Sequence, residues 1–393
     1  MLSETSQIKG LTLITAYLLT SNEHLTVCHP QSKAVTMPAL TDLNIAVVGT
    51  GANGAGIGAD LVNAGLRVTW IEQWPDNVAA IRENGVRIEF GQLDAGGRVE
   101  TAHPRVINLC EVATLREKFD AVLLLVKAYD TRWACELIKP YVAEDGFVIG
   151  VQNGMSVDDI VAVMGEERSL GAVIEITAAM YTPGVVERHS DRERSWFAVG
   201  APSSAGVRHV ATAAAILRTV GVVEETTDIR SAKWMKLALN AAELVPSAIM
   251  DLSIADAAKT EGLYDVMLAA GNEAIEAALA DGCQVRPIFG MEGDVASNPE
   301  TFVETVLAEL IANYILSYSR STILQDWMKH RHSEVNELNG FVVQVLRSAG
   351  KPAPANQAVV EFAAEIELGT RERGIHNLEA LAARVRELGG LVG

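Results

Sequence analysis

The stretch Asn44-Ile-Ala-Val-Val-Gly-Thr-Gly-Ala-Asn-Gly54 constrains this chain more than any other part of it. An apolar, β-rich run from Ile45 to Val48 stops at Gly49. Gly51 and Gly54 then complete G-x-G-x-x-G ahead of a small-residue helical pattern through Ala64. Each glycine does a different mechanical job. Gly49 makes the tight turn, Gly51 lets the backbone approach a pyrophosphate, and Gly54 allows close packing of helix on strand. The helix N-terminus adds unpaired N–H groups and a partial positive charge. Gly49, Gly51, Ala52, Asn53 and Gly54 are therefore the expected phosphate-binding turn of a dinucleotide site.

The context strengthens the motif. A second strand, Arg67 to Ile71, ends in Glu72, about 20 residues on, where a carboxylate accepts the ribose hydroxyls of the adenosine half. The same charge would repel a phosphate on the ribose 2′ oxygen, so NAD is expected over NADP. Arg82 stands ten residues further and is the cation that could offset that repulsion.

A chain of 393 residues is too long for one ordinary core, and a hydrophobic content of 49% implies well-packed domains. The formal net charge of −18 argues against nucleic acid and against anionic membrane surfaces. Cys28, Cys110, Cys135 and Cys283 are scattered, with no metal-ligand spacing, and read as reduced thiols of a cytoplasmic protein. His330 and His332 alternate in a polar stretch without a third ligand nearby, so no metal site is expected. Leu11 to Thr20 is apolar but far shorter than the roughly 20 residues that span a bilayer. Residues 1–41 read as an extension, with Met37 an alternative start of translation.

Further along, Gly85 to Val106 suggests an antiparallel strand pair, and Ala121 to Val126 a central parallel strand ending in Lys127. A helix over 131–141 and a strand over 146–151 follow, the latter ending in Gln152-Asn-Gly-Met155. Strands over 171–180 and 195–200 and a helix over 205–220 close an α/β domain near residue 227. From residue 228 long helices dominate, expected over 229–250, 260–281, 301–318, 323–349 and 376–389, with a break over 284–300. The expected architecture is a Rossmann-type, doubly wound domain over 42–227 followed by an all-helical substrate and dimerisation domain over 228–393. The glycine turn, Glu72, Lys127 and Asn153 all fall at carboxyl ends of expected parallel strands, the edge where ligands of open α/β sheets bind.

In the helix after Arg230, Lys236 and Asn240 stand four residues apart and share a face. If that face meets the nicotinamide, Lys236 can protonate an oxygen as it becomes an alkoxide, and burial is expected to lower its pKa. A lysine lying along an amphipathic surface with its head in water is the competing reading. A second polar patch holds Thr322, able to hydrogen-bond a carboxylate, and Glu334, able to accept from a substrate hydroxyl or to tune the lysine.

Taken in order, Gly49-Thr-Gly-Ala-Asn-Gly54, Val126-Lys-Ala-Tyr-Asp-Thr131, Gln152-Asn-Gly-Met155, Lys236-Leu-Ala-Leu-Asn240, Ser321-Thr-Ile-Leu-Gln-Asp326 and Glu334-Val-Asn-Glu-Leu-Asn-Gly340 resemble the ketopantoate reductase family over about residues 43–368. That family reduces a 2-oxo acid to a 2-hydroxy acid. The resemblance implies that Lys236 is the catalytic lysine, Asn240 a substrate-site asparagine, and Glu334 the acid that helps hold substrate. It also implies that Lys127 and Asn153 are polar groups at the nicotinamide and substrate end. Departures lie in the lining: Thr322 replaces a serine, Leu244 and Ser319 replace asparagines, and Glu72 stands where NADP-specific members have a basic or neutral residue. The implied function is an NAD-dependent oxidoreductase for a small 2-oxo or 2-hydroxy acid, or a related alcohol, other than ketopantoate, acting as a homodimer. A 3-hydroxyacid dehydrogenase of the 6-phosphogluconate type and a non-catalytic NAD(H) sensor are the alternatives.

Overall fold

Alternation along the first strand sets the layering of the molecule. In β1 (Asn44–Val48), Ile45 and Val47 enter one hydrophobic core while Ala46 and Val48 enter another, as the two-residue period of a strand dictates. Both faces are covered, which is why the run is apolar throughout. The computed structural model describes residues 39–91, 96–291 and 297–391. Most of the expected N-terminal extension, with Cys28 and Met37, lies outside the described residues.

After β1 come α1 (Ala52–Asn63), β2 (Arg67–Glu72), α2 (Pro75–Asn84), β3 (Val86–Phe90), β4 (Arg98–Ala102), β5 (Arg105–Asn108) and β6 (Phe119–Leu124). Then follow α3 (Thr131–Ile138), β7 (Val142–Gly150), α4 (Val157–Met164), β8 (Ser169–Glu175), β9 (Ala178–Thr182), β10 (Val185–Arg188), β11 (Trp196–Gly200), α5 (Val210–Leu217) and β12 (Val222–Glu225). The larger sheet has the order β12-β11-β8-β7-β6-β1-β2-β5. From β8 to β5 its strands are parallel, and β11 turns antiparallel against β8. A smaller sheet, β4-β3-β10-β9, packs on the α1 side and shares a core with β1 and β2. Helix α1 fits between the sheets because it is made of small residues; a Cβ on Gly58 would lie 2.5 Å from the Trp70 ring.

The remaining elements are helical: α6 (Ile229–Ile249), α7 (Ile254–Ala257), α8 (Leu263–Ala280), α9 (Phe302–Asn313), α10 (Thr322–Met328), α11 (Phe341–Ser348), α12 (Pro354–Glu367) and α13 (Leu378–Glu387). Every residue of α6 except Arg230 is buried, as befits a helix that is apolar on nearly all sides. It packs against α8, α10, α12 and the end of β8. Trp234 is fully buried there, with its ring 5.5 Å from Phe341; truncating it to alanine costs about 3–5 kcal/mol.

Three sequence expectations need correction. The strand expected over 171–180 is two strands, β8 and β9, and the chain passes from one sheet to the other at Ile176-Thr177. The helix expected over 323–349 is interrupted: α10 ends at Met328, and a π-helical turn, Asn336–Gly340, leads into α11. Helix α12, which begins at Pro354, is absent from the expected set; its proline suits a first helical turn.

Candidate active site

The glycine turn is locked from below and open above. Gly49 has φ +87°, and a Cβ on it would lie 2.6 Å from the Val126 amide nitrogen. Above Gly51, by contrast, a Cβ would meet nothing within 4 Å. No side chain caps the start of α1, so its first-turn N–H groups are available to an anion. The residues fit a dinucleotide pyrophosphate.

Glu72 stands at the end of β2 beside this turn, but it is buried and heavily engaged. Its Oε2 accepts from the Thr50 amide at 2.7 Å and the Thr50 hydroxyl at 2.6 Å, and its Oε1 accepts from the Trp74 amide at 2.9 Å. The carboxylate therefore braces the turn as well as charging the rim. Arg82 does not offset that charge: its guanidinium is committed to the Val106 carbonyl and to Glu111.

Three residues past β6, Lys127 spans to the helical region. Its Nζ donates to Asp326 Oδ2 at 2.5 Å and to Glu334 Oε2 at 3.1 Å, while the Ala128 amide donates to Glu334 Oε1 at 2.8 Å. Burial works against the ammonium, yet Glu334 and Asp326 together raise its pKa above the ordinary lysine value. Glu334 thus serves Lys127 and does not tune Lys236.

The cleft has two adjoining parts, an outer one of about 140 Å³ beside the glycine turn and an inner one of about 60 Å³. Asn53, Asn153, Ile174, Ala178, Thr322 and Gln325 line both. Lys127, Asp326 and Glu334 line the outer part; Lys236, Asn240, Glu175, Glu243 and Arg320 line the inner one. Lys236 is 7% exposed, and its Nζ lies 2.5 Å from Glu175 Oε2 and 3.9 Å from Glu243 Oε1. The expected fall in its pKa does not occur. Burial pulls the value down, but the two carboxylates outweigh it and the net shift is upward. Glu243 bears the cost: burial, with Glu175 adding to it against the pull of Lys236, pushes its pKa up to about 8.

Unpaired polar atoms mark the inner chamber. Among the described residues, Asn53 Oδ1, Asn153 Oδ1, both side-chain polar atoms of Asn240, Glu243 Oε2 and Thr322 Oγ1 are buried without a hydrogen-bond partner. A buried polar group normally has one. Here they converge on one small space, which is the pattern of a surface shaped for a polar ligand.

The family pattern for ketopantoate reductase PanE/ApbA matches residues 45–202, and that for its C-terminal part matches residues 228–367. The chain belongs to the ketopantoate reductase family. Members of this family are oxidoreductases acting on CH–OH groups, which implies a nicotinamide cofactor. Among similar proteins, the 2-dehydropantoate 2-reductase of Pyrococcus abyssi is 26% identical over 315 residues, spanning 80% of this chain and 94% of that one. A PanE/ApbA family ketopantoate reductase from Ralstonia eutropha is 28% identical with a TM-score of 0.68, covering 84% of this chain and 100% of the other. The fold also matches a D-mandelate dehydrogenase solved with NADH and anilino(oxo)acetate, at 20% identity and a TM-score of 0.71, over 83% and 99% of the two chains.

The structure brings Lys236, Asn240, Asn53, Asn153 and Thr322 to one chamber and sets Gly51, Ala52, Gly54, Lys127 and Glu334 beside it; Gly49 and Glu72 support the turn from behind. Sequence reasoning missed Glu175, Glu243 and Asp326. Glu243 had a signal, since it lies seven residues after Lys236 on the same helical face. Glu175 had a weaker one: it and Thr177 are the polar residues of the otherwise apolar stretch 171–180, but no turn residue there marks the break between β8 and β9 that presents it.

Proposed function

We propose that this chain is an NAD-dependent oxidoreductase that moves a hydride between nicotinamide and a small 2-oxo or 2-hydroxy acid, or a related alcohol, with Lys236 as general acid and base. One observation carries the reading: a buried ammonium and a ring of unpartnered amide and hydroxyl groups share a chamber that opens onto the glycine turn. The cofactor, when bound, supplies the hydride.

The protein's own residues do the rest. In this reading residues 42–227 hold the cofactor, and residues 228–393 supply Lys236, Asn240, Thr322 and Glu334. Gly49, Gly51, Ala52, Asn53 and Gly54 receive the pyrophosphate on backbone N–H groups. Lys127 and Asn153 face the nicotinamide end. Asn240 and Thr322 hydrogen-bond the substrate, and Arg320 gives its carboxylate a counter-charge. Because the close carboxylate of Glu175 keeps Lys236 charged, the resting enzyme is poised to donate a proton to a carbonyl oxygen. The Glu175 carboxylate beside Lys236 favours a monoanionic substrate over a more highly charged one. A homodimer goes with this reading, and sedimentation velocity measures it.

Lys236→Ala is expected to lower turnover by about 100-fold or more while NADH binding, followed by nicotinamide fluorescence, stays intact. Unchanged turnover would remove the assigned role. A panel of 2-oxo acids, hydroxy acids and alcohols with both cofactors identifies the substrate. Oxidation of 3-hydroxy acids alone would point instead to the 6-phosphogluconate type of chemistry.

A further inference from the structure

We propose that Glu243 is the proton store behind Lys236: it carries a proton in the resting chamber and passes it to the lysine once the lysine has protonated the substrate oxygen. This rests on the role given above to Lys236. The charged side chains lining the inner chamber, among the described residues, are Glu175, Lys236, Glu243 and Arg320. Glu175 takes the ammonium at 2.5 Å, whereas Glu243 stands at 3.9 Å, beyond hydrogen-bond reach. Glu243 is 2% exposed, and its Oε2 has no partner. An ionised carboxylate left buried and unpaired this way, beside a second carboxylate, is far costlier than a neutral acid. Two carboxylates sharing one ammonium resolve the conflict when one of them holds a proton. The upward shift of Glu243 agrees with this.

The proton path balances in the direction of reduction. As a hydride adds to the carbonyl carbon, the C=O π pair moves to oxygen; an O–H bond forms there and an N–H bond of Lys236 breaks. The amine, now neutral, is no longer drawn to Glu175 as a charge, and its flexible stem can turn the short distance to Glu243. The O–H of Glu243 breaks, the N–H of Lys236 is restored, and Glu243 becomes a carboxylate. It regains a proton from water when product leaves. One proton from solvent is consumed per turnover, and the reverse direction runs the same steps backwards.

The test is Glu243→Gln in the full chain, with the oxo acid that the substrate panel identifies. Expected is a near-normal first turnover, because Lys236 starts charged, followed by a steady state about 10–100-fold slower, seen as a burst of one equivalent of NADH oxidised. Infrared difference spectra of the cofactor-free protein near neutral pH should show a protonated-carboxyl band that Glu243→Gln lacks. Glu175→Gln should also remove that band, because Glu243 then takes the ammonium as a carboxylate. An unchanged steady state without a burst, or no such band in the wild type, would overturn the proposal. If Lys236→Ala abolishes turnover while Glu243→Gln leaves the steady state unchanged and without a burst, this inference falls and the proposed function stands. If neither variant matters, the proposed function falls as well.

Discussion

Gly54 lies so close beneath Gly49 that a methyl group on it would sit 2.0 Å from the Gly49 carbonyl oxygen, while the space over Gly51 is clear to 4 Å. The two glycines therefore fail in different ways. Gly54→Ala forces the turn apart and is expected to lower both stability and cofactor affinity. Gly51→Ala should fold with an unchanged denaturation midpoint and yet bind NADH at least about tenfold more weakly, because its methyl group intrudes on the approaching phosphates. Paired urea titrations and fluorescence titrations separate the two; equal affinity in Gly51→Ala and the wild type would mean the phosphates lie elsewhere.

Lys127 is the only cation hydrogen-bonded to Asp326 or Glu334 among the described residues, and both acids are buried. Removing it as Lys127→Ala strands two carboxylates. Breaking a buried pair costs about 3–5 kcal/mol, and the partial exposure of the lysine side chain lowers the expectation to about 2–4 kcal/mol. Urea denaturation at neutral pH measures the loss. Lowering the pH should narrow the gap, because burial raises the pKa of Asp326 and its protonated acid no longer needs the lysine.

Glu243 gives a stability signature of opposite sign. Its folded pKa, about 8, lies above the unfolded value near 4.5. Below pH about 4.5 both states hold the proton and the group contributes no pH dependence. Between there and about 8 the unfolded chain releases a proton that the folded one keeps, so folding loses stability as pH rises. Glu243→Gln lacks this group, and its stability relative to the wild type should climb through that window and level off above it. A flat difference across the window would show that Glu243 ionises normally.

The charge of Glu72 beside the turn sets the cofactor expectation. One carboxylate about 4 Å from a 2′-phosphate is worth about 1–4 kcal/mol of repulsion, so kcat/KM with NADH should exceed that with NADPH by tenfold or more. Glu72→Gln should narrow that ratio by relieving the NADPH side, at some loss of stability because Thr50 and Trp74 donate to the carboxylate. Better use of NADPH by the wild type would refute the assignment.

Much of this was legible in the chain itself. The glycine spacing, the apolar run before Lys127 and the four-residue step from Lys236 to Asn240 are local patterns, and local patterns report on turns, strands and helix faces. The ion pairs were not legible. Lys127 meets Glu334 across 207 positions, and Lys236 meets Glu175 across 61, distances that only the packing of sheet on helices can close. The expected low pKa of Lys236 failed for that reason: burial was readable from the apolar neighbours, but Glu175, the nearer of the carboxylates that overrule it, comes from elsewhere in the fold.

Helix α6 is enclosed along its whole length apart from Arg230. Its lysine, amide and acid are therefore rooted at fixed positions along one backbone, which are hard to alter without unfolding the lobe around them. Diversity in what such a protein accepts must then arise on the opposite walls, where the β8–β9 crossing and the loop before Thr322 can be rebuilt one side chain at a time.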